Sequence, residues 1–184
     1  MVGVTKLAGL LSRRNICLIT MNVFLLASTC LLALTGCQPA QPNQSDFNFI
    51  FKYSVQAGNE LNTFKGTYTR DMVRGFDVTT RLTLTKDEMD QIQAKMTEID
   101  FFNYPDTFKV GPTADGMITM VTPYESYYFK VQVGTEIKEL SWADEIQNPD
   151  PRADKLRELI NLITSIIRSK PEYKALPQPR GGYM

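Results

Sequence analysis

The chain contains no histidine, and its three cysteines, Cys17, Cys30 and Cys37, all fall within the first 37 of 184 residues. A Ser-His-Asp or Cys-His catalytic unit within the chain is therefore excluded, as are zinc sites built from Cys and His and haem held by either. No metal site or cofactor is expected. Beyond residue 37 there is no thiol, so no disulfide can staple the remainder, and its stability must come from a hydrophobic core. An excess of charge of either sign is also lacking, since 20 Lys and Arg face 20 Asp and Glu. That balance hides an asymmetry. Residues 1–37 carry Lys6, Arg13 and Arg14 and no acid, which leaves 17 basic against 20 acidic residues, a net charge of −3, for residues 38–184. A mildly acidic body is a poor binder of nucleic acid or anionic lipid through charge, so no nucleic-acid partner is expected.

What is present begins with an apolar run. Residues 16–34 read ICLITMNVFLLASTCLLAL, without a charge and preceded by three positive ones. That is the layout of an export signal. As a helix, 19 residues at about 1.5 Å each would span about 28 Å, so an uncleaved transmembrane anchor is the alternative. Thr20, Asn22, Ser28 and Thr29 make the run a mediocre span. At its end stands Leu34-Thr35-Gly36-Cys37, which resembles the lipobox of bacterial lipoproteins. The resemblance implies removal of residues 1–36 as a signal peptide and lipid attachment at Cys37, giving a membrane partner through the lipid. Two or three acyl chains, at about 0.8 kcal/mol per buried CH₂, hold a protein stably where one chain does so only marginally. Ser12-Arg13-Arg14-Asn15-Ile16-Cys17 also resembles a twin-arginine signal, although Ile-Cys stands where Phe-Leu is usual; an ordinary basic leader serving general secretion is the favoured reading. Residues 37–45 continue from Cys37 as a tether, QPAQPNQS, with two prolines and no large apolar residue. Its eight residues reach at most about 28 Å, so the body would sit close over the membrane.

Residues 46–176 carry the patterns of one folded domain. Phe47, Phe49, Phe51, Tyr53 and Val55 alternate with polar or exposed positions, as a strand with one aromatic face does. A turn at 57–59 leads to an expected second strand over Thr63–Arg70, and Val78, Thr80, Leu82 and Leu84 mark a third. Thr85 and Glu88 form a T-x-x-E capping box ahead of a helix whose Met89, Ile92, Met96 and Ile99 make one apolar stripe. Phe101–Pro105 should then turn the chain under the sheet. A loop of Gly134-Thr135 suits a type II′ hairpin turn. Pairing Val133 with Glu136 then opposes Phe129 to Leu140 and Tyr127 to Trp142 on one face, and Lys130 to Glu139 on the other. Asp150 and Pro151 open a last helix, Pro171 ends it, and its Leu156, Leu159, Ile160, Ile163, Ile166 and Ile167 form a broad apolar face. Residues 177–184 are a Pro/Gly-rich tail that either lies along the domain or hangs free. Strands, helix, strands, helix define a two-layer α+β fold, a mostly antiparallel sheet packed against two helices.

The segments LTKDEMDQIQAKMTEIDFFNYPDTF and LRELINLITSIIRSKPEYKALPQPRGGY resemble parts of a group of lipoproteins of Gram-positive bacteria. The resemblance implies an envelope setting on the outer face of the cell membrane, and it brings no activity and no functional residue.

The remaining acid/base groups are carboxylates. Asp144 and Glu145 follow the hairpin, and Asp150 and Asp154 open the last helix. A small hydrolase of wall or envelope polymers would need two of them facing across a cleft. Capping and solvation explain them as well, and no residue is singled out as catalytic. Thr113-Ala114-Asp115-Gly116 lacks the alternating acids of a calcium loop and reads as a turn. Among the aromatics, Tyr127 and Trp142 belong to the core face. Tyr124 and Tyr128 are the candidate contacts for an envelope protein or a glycan. The expectation is a lipid-anchored accessory or partner-binding module, not an enzyme, with the hydrolase as alternative.

Overall fold

In the computed structural model, residues 46–183 are described; the expected signal peptide, the Leu34-Thr35-Gly36-Cys37 motif and the expected tether lie outside them. Strand β1 (Phe47–Tyr53) buries every second side chain, so Phe47, Phe49, Phe51 and Tyr53 point into the core. It is followed by β2 (Asn59–Asn62), β3 (Thr67–Arg70) and β4 (Val78–Arg81), each antiparallel to its predecessor. Helix α1 (Lys86–Glu98) comes next, then the two-residue β5 (Thr107–Phe108), and the hairpin β6 (Ser126–Val133) and β7 (Glu136–Ala143). Helix α2 (Pro151–Ser169) and a short α3 (Pro171–Lys174) close the order. The sheet runs β4-β3-β2-β1-β6-β7-β5, antiparallel except for β5 beside β7. The fold is α+β, with a mostly antiparallel sheet.

The hairpin has the expected register at every pair, and Lys130 and Glu139 sit 3.0 Å apart. Gly134 has φ of +58°, the left-handed conformation that the first position of a II′ turn requires. Thr85 and Glu88 make the reciprocal capping box, and Asp150 accepts the backbone N–H groups of Arg152 and Ala153 ahead of Pro151. These elements were legible because their chemistry is local.

The stretch from Asn59 to Arg70 differs from expectation. Where one returning strand was expected over 63–70, a hairpin of β2 and β3 turns at 63–66. The Thr63 hydroxyl accepts the Phe49 N–H at 2.8 Å, Asn62 accepts the Lys65 N–H at 3.2 Å, and Gly66 adopts φ of +62°. Asn59–Asn62 has poor strand propensity, but Leu61 is fully buried and Glu60 pairs Lys52 at 3.2 Å, so tertiary packing overrides it. Pro171 both ends α2 and opens α3, so the described residues hold three α-helices where two were expected.

The core lies between the helices and one sheet face. Rings form a near-continuous chain from Tyr53 through Phe51, Phe129, Phe101, Tyr104 and Phe108 to Trp142, with centroids 4.7 to 6.3 Å apart. Leu156, Leu159, Ile163 and Ile167 of α2 and Ile92 and Met96 of α1 cover it. Two ion pairs tie the helices, Lys95 to Glu158 at 2.6 Å and Lys170 to Glu88 at 2.5 Å. The opposite sheet face carries Asn48, Lys52, Thr69, Tyr128, Lys130 and Glu139, all half-buried or exposed, as is usual for an antiparallel sheet.

Of the two fates open to the tail, residues 177–183 take the first and lie along the domain. Arg70, 4% exposed, donates to the carbonyls of Tyr173, Leu176 and Pro177 and stacks 4.2 Å over the Tyr173 ring. The Arg180 N–H reaches the Met72 carbonyl, and the Tyr183 hydroxyl donates to Asp71.

Candidate functional site

Among the described residues, a pocket of about 370 Å³ opens at the Ser126/Ala143 end of the sheet. Its apolar wall comes from Phe108, Val110 and Ile146, and its hydroxyls from Ser126, Tyr128 and Ser141. Register places Tyr128 directly opposite Ser141 on the neighbouring strand, which brings both hydroxyl-bearing side chains to one face. Burial first, and then the Glu139 carboxylate accepting its hydrogen, push the Tyr128 phenol above its ordinary pKa, so it stays a neutral donor at physiological pH. Trp142 also borders the pocket, but its indole N–H is fully buried and has no partner among the described residues. It offers the pocket ring carbon and no accessible donor.

Of the two candidate contact residues, Tyr128 lines this pocket and Tyr124, 37% exposed, does not. The four carboxylates are dispersed. Asp144 turns to α2, where Arg157 grips it through two bonds of 2.6 and 3.1 Å. Asp154 accepts from the same guanidinium at 2.9 Å, and Asp150 is occupied as the helix cap. Glu145 alone of the four lines the pocket. Lys109 lines the pocket together with Glu145 and the serine hydroxyls, and Glu145 has no second carboxylate facing it there, so the acid pair of a glycosidase is not assembled. The pocket offers an apolar wall, several hydroxyls and one side chain of each charge, Lys109 and Glu145.

Thr113–Gly116 is a turn closed by the Gly116 N–H on the Thr113 carbonyl at 2.9 Å, and the Thr113 hydroxyl donates to Asp115. That bond, with backbone N–H groups, holds the Asp115 carboxyl below its usual range. No cluster of three metal-ligating side chains occurs among the described residues, and no helix there is long and apolar enough to cross a membrane.

Two features went unforeseen. The pocket draws on five separate segments, so no local signal marks it. The loop before β6 presents Met117, Ile118, Met120 and Val121 to solvent. Its signal was available, an apolar cluster of neither helical nor strand period between turn residues.

No protein-family model matches the chain, and no curated protein matches it. The class that can be stated is structural, a two-layer α+β domain with a mostly antiparallel sheet.

Proposed function

We propose that this protein is a lipoprotein held to the outer face of the cell membrane through Cys37, and that it works as a noncatalytic accessory or partner-binding module of a Gram-positive envelope. The observation that carries this reading is Leu34-Thr35-Gly36-Cys37 at the end of an uncharged apolar run, in a chain with no later cysteine. Thiol acylation is the chemistry that a lone cysteine in this setting suits. The noncatalytic part is supported by what the carboxylates do. Asp144, Asp150 and Asp154 are each committed to a structural partner, and Glu145 faces the pocket without a second acid. Tyr128, with the pocket beside it, is the candidate contact for an envelope protein or a glycan.

Cys37→Ser should abolish palmitate labelling and release the protein from its lipid-anchored state, read by labelling and by the size of the processed chain. Unchanged labelling overturns the anchor. Turnover of a wall polymer that is lost on Glu145→Ala would overturn the noncatalytic part.

A further inference from the structure

Strand register gives the pocket at the end of the sheet its shape. Ser126 stands opposite Ala143 and Tyr128 opposite Ser141, while Thr107 of β5 lies beside Ser141 from the other side. Burial alternates through 107–110, which keeps Lys109 on the solvent side with Thr107. Three small side chains, Ser126, Ser141 and Ala143, thus form a floor between the larger Tyr128 and Lys109, and Glu145 lines the pocket from the turn after β7. Five of the lining polar groups have no partner. The hydroxyls of Thr107, Ser126 and Ser141, the Lys109 ammonium and the Glu145 carboxylate make neither a hydrogen bond nor an ion pair with any described residue. Lys109 and Glu145 therefore share one pocket without pairing, and their charges cancel.

We infer that this pocket binds an uncharged pyranose ring, one unit of a glycan outside the cell, through those five groups. The inference deepens the proposed role of Tyr128 and its pocket, and rests on the extracytoplasmic reading for the supply of ligand. Complementarity carries it. The lining has no net charge, so an anion meets Glu145 and a cation meets Lys109, each an unfavourable like-charge contact. Ring hydroxyls both donate and accept. One ring therefore suits an ammonium that only donates, a carboxylate that only accepts and hydroxyls that do either. The C–H face of the ring matches the wall of Phe108, Val110 and Ile146, and the volume of about 370 Å³ lies in the range of small-ligand sites. Two other occupants match less well. A partner protein's inserted apolar side chain would cover the five polar groups without satisfying them. A free amino acid carries its ammonium and carboxylate on one carbon, whereas Thr107 on β5 and Ser126 on β6 stand two strand spacings apart, about 10 Å.

The test titrates the full chain, held in phospholipid nanodiscs, with methyl glucoside, methyl galactoside and tetra-N-acetylchitotetraose by calorimetry, and with leucine for comparison. At least one saccharide should saturate and shift the emission of Trp142, which is the chain's only tryptophan and borders the pocket. Glu145→Gln and Lys109→Met should each weaken that binding about tenfold, the loss of a hydrogen bond to a charged group. Ser141→Leu fills the floor and should abolish binding with the melting temperature unchanged. Absence of binding to all three saccharides overturns the inference. So does saccharide binding that survives all three substitutions, or an affinity for leucine above that for every saccharide. A saccharide that is bound and then cleaved keeps the inference and overturns the noncatalytic reading. Binding by a chain without palmitate on Cys37 keeps it and overturns the anchor.

Discussion

Replacing Glu88 by alanine removes two bonds with one side chain. Its carboxylate accepts the Thr85 backbone N–H at 2.7 Å, completing the cap of α1, and lies 2.5 Å from the Lys170 ammonium beyond the end of α2. The Lys170 and Glu88 side chains are only 12% and 20% exposed, so the pair is better shielded than most surface pairs. Loss of the reciprocal cap costs about 1 kcal/mol. The ion pair adds about 1 kcal/mol, the upper end of the range for pairs at a surface. Together they predict a melting temperature lower by about 8 °C, at roughly 4 °C per kcal/mol for a domain of this size. Glu88→Gln keeps an oxygen for the Thr85 N–H and removes only the charge, so about half the loss should remain.

The pH dependence gives the sharper discrimination. Burial alone would raise the Glu88 pKa, but the hydrogen bonds from Lys170 and Thr85 outweigh it and hold the carboxyl below its usual 4.5. A carboxyl with a depressed folded pKa stabilises the fold above its unfolded value and loses that contribution as pH falls through the folded one. The gap between the unaltered protein and Glu88→Gln should therefore be full at pH 7 and close as the pH falls through the lowered pKa of Glu88. Circular dichroism melts across this range measure it. A gap independent of pH, or a Lys170→Met variant that melts with the unaltered protein, would refute the assignment.

Two further outcomes follow from the same kind of contact. Arg157→Ala leaves Asp144, whose side chain is 11% exposed, with only the Gln147 amide at 3.1 Å, and should lower stability by about 1 kcal/mol in urea unfolding; Arg157→Lys should rescue it poorly because an ammonium cannot make the two-pronged contact. Donation to Asp71, helped by burial, pushes the Tyr183 phenol up to about 12, so its hold on the tail is full below about pH 10 and is lost as pH rises from there through about 12. Ultraviolet titration should show one tyrosine near there, returning toward 10 in Asp71→Asn.

Sequence separation decided what could be read in advance. The capping box spans three residues, the Asp150 cap three, and the II′ hairpin is governed by the two residues of its turn, so each was legible. Arg70 bonds carbonyls more than 100 residues away, and nothing near Arg70 announces that a tail will fold back over it. The β2–β3 hairpin was missed for a different reason. Its turn is built from Asn62 and Thr63 side chains bonding backbone and from Gly66 at positive φ, a combination that is less conspicuous in the sequence than Ala57-Gly58-Asn59. At the pocket, Tyr128 was placed on the correct face by strand alternation alone, whereas Val110 and Ile146 reach it from loops on either side of the hairpin.

The carboxylates and the exposed loop belong to one structural arrangement. Asp144 and Glu145 occupy consecutive positions in the turn that follows β7, and their side chains part there. One meets Arg157 on the helix layer; the other borders the pocket. The backbone of that same turn, through the Glu145 carbonyl, the Gln147 N–H and the Asn148 side chain, fastens residues 117–121. The Arg157–Asp144 pair thus anchors to α2 the segment that holds the apolar loop outward. On the core side of this end Tyr127, Phe108 and Trp142 are buried against one another and Arg157 lies 5.3 Å over the indole. Met117, Ile118 and Met120 stay exposed because the backbone that carries them is fastened to the 145–148 segment, beside the pocket that Phe108, Val110 and Ile146 line.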